Sequence, residues 1–334
     1  MNKTLKIALN ILIFILVAGF GYFMIHSLIS DKNTIQIDAE NRDYTFVSPY
    51  EKMSSFNTAS DIICFDIYEN TIYVALSDKI SIFNLSGKHL RDVAIEENVR
   101  DIVVDSGRDA INRIPTTTTI YLLYPSRIVS YSLEGLKTDE WKSCSDNSDY
   151  CSFTATKDYL FVTDAENKHI VQYDKQGRLV RFIKSPEGFI IPSFSFDIIA
   201  INDTLYCSNS GRHKIESYTI DGEFIASFGN SGNHIGAFSG CCNPVYLEKS
   251  SGGHILTSEK GNPRISSYGR DGKFQTMLFN GTMLGGGTTA YQMRISGNDI
   301  YIANGKTISV YSIDLTCPPV NSCGECPKRK RCKG

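Results

Sequence analysis

The amino-acid sequence predicts an all-β fold, a six-bladed β-propeller, with an N-terminal transmembrane helix before it and a Cys-rich C-terminal tail after it. Three observations support this prediction: short alternating apolar segments after residue 60, a sequence unit that recurs about every 45 residues, and a long uncharged apolar run near the N-terminus. The predicted parts are an anchor at 1–28, a linker at 29–43, the propeller at 44–315 and a tail at 316–334.

The N-terminal segment is predicted to cross a membrane once. Residues 7–25 are 19 uncharged residues, which is long enough to span a bilayer core. Lys3 and Lys6 precede the run, so we expect the N-terminus in the cytoplasm and the propeller on the periplasmic or outer side of the cell membrane. A cleaved signal peptide is the alternative, but its apolar core is usually shorter and ends at a small-residue cleavage site that is not seen here.

The composition of the chain suits a folded domain with a core. Charged residues make up 21% of the sequence and aromatic residues 11%, and the formal net charge is −2. This balance lacks the basic excess that nucleic-acid binding requires, so we predict no nucleic-acid partner. Ten cysteines are compatible with an oxidising compartment, in which disulfides persist.

A repeated aromatic residue followed four positions later by glycine predicts the blades. The pairs are Phe83 and Gly87, Tyr131 and Gly135, Tyr173 and Gly177, Tyr218 and Gly222, and Tyr268 and Gly272. Tyr311 is a sixth aromatic residue at the expected place, without the glycine, and successive aromatics are 42 to 50 residues apart. Each unit contains four strand-like segments, which is typical of a propeller blade.

The sixth unit predicts how the ring closes. Its third strand is followed by Pro318 and Pro319, which stop any fourth strand. The missing outer strand therefore has to come from elsewhere, and we predict that residues 44–47, before the first blade, supply it.

Several of these units resemble NHL repeats. Residues 205–229, LYCSNSGRHKIESYTIDGEFIASFG, carry the resemblance best, and 161–183 and 255–279 match more loosely. The resemblance covers roughly residues 60–314 and implies a six-bladed propeller like those of membrane-anchored bacterial proteins. It implies little about activity, because the motif residues are structural. NHL-type lyases use a metal, histidines and a tyrosine in the channel, and no matching set maps onto this sequence.

Four cysteines fall in connections between blades, which all open on one face of a propeller. Cys144 and Cys151 lie between the second and third units, and Cys241 and Cys242 lie between the fourth and fifth with His234. Adjacent cysteines form a disulfide only in a strained ring. We therefore expect Cys241 and Cys242 to form disulfides with Cys144 or Cys151, or to ligate a metal together. Alternatively, one of the two adjacent cysteines is a buried apolar side chain and the other forms a disulfide. A bond between Cys144 and Cys151 is a further alternative.

The remaining cysteines divide into strand and tail positions. Cys64 and Cys207 lie within predicted strands and are expected to be buried apolar side chains. Four cysteines form a cluster in the tail: Cys317, Cys323, Cys326 and Cys332. They are consistent with two disulfides, with a Zn²⁺ or iron–sulfur site, or with free thiols.

The sequence shows no catalytic constellation, since it has no G-x-S-x-G, H-E-x-x-H or P-loop motif. Two functions follow as hypotheses. The first is a membrane-anchored, non-catalytic scaffold that binds a protein or peptide partner. The second is an accessory redox or metal-binding protein that uses the Cys241/Cys242 loop or the C-terminal cysteines.

Overall fold

The structure is a computed structural model that describes residues 46–108 and 115–313. Within these residues the chain forms six four-stranded antiparallel sheets. The predicted six-bladed β-propeller is therefore confirmed. No helix among the described residues is long and apolar enough to span a membrane, and both the predicted anchor at 1–28 and the predicted tail at 316–334 lie outside them.

The first three blades follow one another along the chain. The first blade contains β2 (Cys64–Tyr68), β3 (Thr71–Ala75), β4 (Lys79–Asn84) and β5 (His89–Ala94). The second contains β6 (Asp101–Arg108), β7 (Pro115–Tyr124), β8 (Arg127–Ser132) and β9 (Lys137–Lys142). The third contains β10 (Tyr150–Ala155), β11 (Tyr159–Asp164), β12 (His169–Asp174) and β13 (Leu179–Ile183).

The last three blades continue the pattern, with two short 3-10 turns at Pro192–Phe194 and Ser210–Arg212. The fourth blade contains β14 (Ile198–Ile201), β15 (Thr204–Asn209), β16 (Lys214–Thr219) and β17 (Phe224–Phe228). The fifth contains β18 (Tyr246–Lys249), β19 (Ile255–Glu259), β20 (Arg264–Tyr268) and β21 (Phe274–Phe279). The sixth contains β22 (Met293–Ser296), β23 (Asp299–Asn304), β24 (Thr307–Ile313) and the N-terminal strand β1 (Tyr50–Asn57).

The ring closes between the last blade and the first. The innermost strands contact one another in the order β2, β6, β10, β14, β18, β22, and β22 returns to β2. Strand β1 pairs antiparallel with β24, with Asn57 opposite Thr307. The expected donor, 44–47, was wrong: Phe46 and Val47 have no regular secondary structure, and residues 44 and 45 lie outside the described part. As an exposed edge strand, β1 has a polar sequence that gave no apolar signal.

The repeated glycine has a packing role as well as a backbone role. Gly87 has φ of +80°, and a methyl group there would lie 2.5 Å from the ring of Phe56 on β1. Gly177 repeats the arrangement against Trp141 of the preceding blade, at 2.4 Å. Only glycine tolerates both the left-handed conformation and this close approach. Each such turn therefore packs against the outer strand of its neighbouring blade.

Candidate functional site

A ring of polar side chains surrounds the axis of the propeller, one from each blade. The innermost strand of every blade contributes one residue, or the residue just before the strand in the fourth blade. These residues are Asp66, Asp101, Ser152, Asp197, Glu248 and Arg294. The ring thus places four carboxyl groups around one guanidinium group.

Arg294 is the cationic centre of this ring. Its guanidinium nitrogens lie 3.4 Å from Asp66 Oδ1, 3.5 Å from Glu248 Oε2 and 3.8 Å from Asp101 Oδ1. Burial alone would lower the pKa of Arg294, but the surrounding carboxylates, Glu248 first, outweigh it and raise that pKa. Arg294 therefore stays charged and partly neutralises the carboxyl groups.

The carboxyl groups of the ring hold protons more tightly than usual. Burial raises the pKa of Asp101 to about 7, and the neighbouring Asp197 adds to the effect. Burial likewise raises the pKa of Glu248 to about 7, and it raises the pKa values of Asp66 and Asp197. One arginine cannot fully compensate four desolvated carboxylates.

The hydroxyl group of Ser152 lies between two carboxyl groups of the ring. Ser152 Oγ lies 2.9 Å from Asp101 Oδ2 and 2.5 Å from Asp197 Oδ1. A hydroxyl group carries one proton, so it can donate to only one of them at a time. Ser152 therefore satisfies these two carboxyl groups only in part, and it holds them close together.

Three of the ring carboxyl groups also join neighbouring blades. Asp66 Oδ2 accepts a hydrogen bond from the backbone N–H of Val104, at 2.8 Å, in the second blade. In the same way Asp101 accepts from Phe153 at 3.2 Å, and Asp197 accepts from Leu247 at 2.6 Å. The ring is therefore a structural joint between the innermost strands.

A small pocket opens beside the start of the fifth and sixth innermost strands. It has a volume of about 120 Å³, and Ile63, Tyr246, Tyr291 and Gln292 are among the residues that line it. Burial, with Asp197 and Asp101 nearby, raises the pKa of Tyr246 to about 12. The side-chain oxygen of Gln292 has no hydrogen-bond partner among the described residues. The pocket has room for a small polar group.

Two long connections between blades form what we call the loop face: residues 184–197 and 229–245. Ser193 and Phe194 both have left-handed backbone conformations, with φ of 63° and 56°. Phe194 is 60% exposed, and the guanidinium carbon of Arg100 lies 5.7 Å from the centre of its ring. Ser193 Oγ lies 3.7 Å from Cys242 Sγ, so the two connections touch.

Buried polar groups hold the 229–245 connection in place. The Asn243 side chain donates to the carbonyl oxygen of Lys260 and accepts from its N–H, both at 2.9 Å. Beneath it, Glu259 and Arg264 form a buried ion pair at 2.6 Å, and Arg264 also donates to the carbonyl oxygen of Ala237. His213 bonds to the Gly240 carbonyl at 2.6 Å. The loop is therefore fixed from several sides.

The structure places Cys241 and Cys242 against each other. Cys241 is exposed, Cys242 is buried, and their sulfur atoms are 3.0 Å apart. Cys144 instead contacts Tyr173 Oη at 2.9 Å, and Cys151 Sγ lies 3.5 Å from the Asp149 carbonyl oxygen. All four thiols are free, so the expected pairing of Cys241 or Cys242 with Cys144 or Cys151, and the Cys144–Cys151 bond, do not occur in this structure.

In the described part of the chain, no group of three or more His, Cys, Asp and Glu side chains is arranged to hold a metal ion. Cys241 and Cys242 therefore have no third protein ligand there with which to bind a metal. The tail cysteines Cys317, Cys323, Cys326 and Cys332 lie outside it. Cys64 and Cys207 are fully buried, as expected of apolar strand residues, and burial raises both pKa values well above the usual range.

Structural comparison finds lyases with the same fold. Selenomethionine-substituted virginiamycin B lyase from Staphylococcus aureus superposes with a TM-score of 0.55 at 12% identity, over 79% of this chain and 99% of that one. A streptogramin B lyase gives 0.55 at 13% identity, over 79% and 98%. A catalytically inactive S. aureus virginiamycin B lyase variant with quinupristin gives 0.52 at 14%, over 79% and 99%.

These similarities show a shared six-bladed propeller, and at such low identity they show the fold alone. No protein-family model matches the chain, and no curated protein matches it significantly. Membership of the NHL group therefore stays a prediction from the repeat.

Proposed function

We propose that the chain is a membrane-anchored, extracytoplasmic propeller that binds a protein or peptide partner on its loop face, without catalysing a reaction on it. The proposal rests on one observation: the large apolar side chain of Phe194 is exposed to solvent, and its backbone is in the left-handed conformation. The partner we expect is a peptide segment that inserts an apolar side chain beside Phe194.

The backbone of Phe194 is unfavourable on its own. A left-handed conformation costs a residue other than glycine about 1–2 kcal/mol, and a bulky residue there is an outlier that usually has a local cause. Such strain persists only where the surroundings enforce it, and it is concentrated at functional sites. Phe194 is 60% exposed in the free protein, so a bound partner would supply the apolar contact that most of this side chain lacks.

Hydrogen bonds to the backbone of Ile190 fix the connection a few residues before Phe194. Ile190 N–H donates to the buried Asn209 side chain at 2.9 Å, and Gly211 N–H donates to the Ile190 carbonyl at 2.9 Å. Ile190 is itself 47% exposed and begins the same apolar stretch. A preformed apolar surface loses less conformational entropy on binding than a mobile loop does.

The membrane placement belongs to the same proposal. It is supported by the uncharged run at 7–25 and by Lys3 and Lys6 before it. The linker at 29–43 would separate that anchor from β1.

Selection from a phage-displayed library of random peptides tests the proposal. Peptides enriched on the wild-type chain should lose at least about tenfold in affinity for Phe194→Ala, since a buried aromatic anchor contributes about 2 kcal/mol or more. Leu136→Ala is the matched control, because Leu136 is 69% exposed but lies in the β8–β9 turn at the opposite end of its blade. Failure to enrich any peptide, or equal binding to both variants, would contradict the proposal.

The second candidate function is an accessory redox protein. The observation that favours it is the 3.0 Å separation of the Cys241 and Cys242 sulfur atoms in a fixed loop. A Zn²⁺ or iron–sulfur site at these two residues or in the tail remains a prediction.

A further inference from the structure

Cys241 and Cys242 differ in accessibility although they are adjacent. Cys241 is exposed to solvent, whereas Cys242 is 1% exposed. Cys242 donates its S–H to Cys241 Sγ at 3.0 Å. Of the two sulfurs, Cys241 is thus the one placed to meet a reactant from solution.

The surroundings of Cys241 and Cys242 hold the pair in place. Asn243, the next residue, is locked to the backbone of Lys260 by two hydrogen bonds. Burial and the hydrogen bond with Cys241 raise the pKa of Cys242, while Ser193 and Lys260 act in the opposite direction. Cys242 is therefore held as a thiol close to Cys241, with a cation near enough to favour its later ionisation.

We propose that Cys241 and Cys242 form a thiol–disulfide exchange site that oxidises reversibly to a bond between the two adjacent residues, with a small-molecule or protein disulfide as the oxidant. This inference develops the redox alternative above and does not depend on peptide binding at Phe194. The bond closes a strained eight-membered ring, and strained, exposed disulfides are the readily reduced ones. The site therefore responds to changes in the thiol–disulfide balance of its surroundings.

The exchange takes place in two balanced steps. The Cys241 thiolate attacks one sulfur of the oxidant RSSR, which forms a Cys241–SR mixed disulfide and releases RS⁻. Cys242 then loses its proton to RS⁻ and attacks Cys241 Sγ, which breaks the Cys241–SR bond and releases a second RS⁻. Overall, two protein thiols are oxidised and one external disulfide is reduced to two thiols.

Peptide mass spectrometry tests the proposal. The full chain is treated with oxidised glutathione, quenched with acid, alkylated and digested. Trypsin releases residues 215–249, which contain Cys241 and Cys242 and no other cysteine. We expect this peptide to lose two hydrogens without keeping a glutathione adduct, and to regain them with reduced glutathione. Cys144 is an internal control, since it is exposed but is hydrogen-bonded to Tyr173 rather than to a thiol.

Two single variants separate the roles of the sulfurs. Cys242→Ser should trap the first step, so that a stable glutathione adduct accumulates at Cys241. Cys241→Ser should remain unmodified in peptide 215–249, because Cys242 is buried. A persistent adduct at Cys241 in the wild-type chain, a bond to any other cysteine, or an unreacted wild-type peptide would overturn the proposal. None of these readouts depends on a binding partner, so failure here leaves the proposal for Phe194 to its own test.

Discussion

At the scale of single residues, Arg294 is central to the ring around the axis, because all four carboxyl groups of the ring interact with its positive charge. The residues of this ring were only in part predictable from the sequence. Cys64 was expected to be buried, and it is. Asp66, two residues later, was not singled out, although an Asp-Ile pair recurs at the innermost strands of the first, second and fourth blades. The third, fifth and sixth blades break that pattern with Ser152, Glu248 and Arg294, so only the structure shows that all six positions meet.

Replacing Arg294 by methionine should destabilise the protein strongly. The substitution keeps much of the side-chain volume but leaves four buried carboxyl groups without their cation, which costs about 3–5 kcal/mol when a buried pair is broken. Urea unfolding of Arg294→Met measures the effect. Arg178→Met is the control, because Arg178 pairs with Asp174 while 76% exposed, and such surface pairs contribute about 1 kcal/mol or less. Equal losses of stability in Arg294→Met and Arg178→Met would contradict the role of the ring as a structural joint between blades.

The conformation of Phe194 is also a residue-scale property that the sequence did not reveal. A phenylalanine next to a serine gives no sign of a left-handed backbone, which residues with glycine-like freedom normally adopt. The contact between Ser193 and Cys242 depends on two connections from different blades meeting. The predicted topology correctly placed these thiols in the connections between blades, but it did not predict which groups they contact.

At the scale of elements, the repeat predicted the blades because its residues have fixed packing roles. The repeat aromatics Phe83, Tyr131, Tyr173, Tyr218, Tyr268 and Tyr311 are all buried. The closing strand was misplaced because β1 is an edge strand whose residues are mostly exposed and polar. Its apolar contacts lie near its two ends, where the ring centre of Tyr50 is 5.2 Å from that of Phe279 and the ring centre of Phe56 is 5.0 Å from that of Phe83.

Gly87→Ala tests the contact between β1 and the turn of the first blade. The substitution adds strain at φ of +80° and a clash with Phe56, so we expect a loss of about 2–4 kcal/mol. Gly253→Ala is the matched control, because Gly253 has φ of +75° with nothing within 4 Å, and should lose only about 1 kcal/mol. Urea unfolding at equilibrium gives both values.

A double variant checks the origin of the difference. Phe56→Ala removes the ring that Gly87 approaches, so the losses from Phe56→Ala and Gly87→Ala should be less than additive by about 1 kcal/mol or more. Strict additivity would mean that the clash of the added methyl group with the ring of Phe56 does not cause the loss.

At the scale of the whole molecule, the ring links stability to pH. Asp101 and Glu248 have pKa values of about 7 in the folded chain, against about 4 when unfolded. Between these values the folded state binds protons that the unfolded chain has released. The free energy of unfolding should therefore be greatest at about pH 4 and should fall as the pH rises through about 7.

Glu248→Gln isolates one of these groups. Chemical unfolding between about pH 4.5 and pH 7.5 should show a fall in the free energy of unfolding for the wild type, with a slope smaller by up to about one proton in the variant. Glu223→Gln, an exposed residue in the β16–β17 turn, should leave the slope unchanged. A wild-type stability that rises over this range would show that the ring carboxyl groups are ionised.

We propose that a partner binds on the face of the propeller that carries Phe194, and photo-crosslinking from position 194 tests this. Benzoylphenylalanine would replace Phe194 in one chain and Leu136, in the opposite-end turn, in another, each mixed with a peptide selected on the wild-type chain. We predict crosslinks from position 194 and none from position 136. Crosslinks from position 136 alone, or equally from both, would contradict the account.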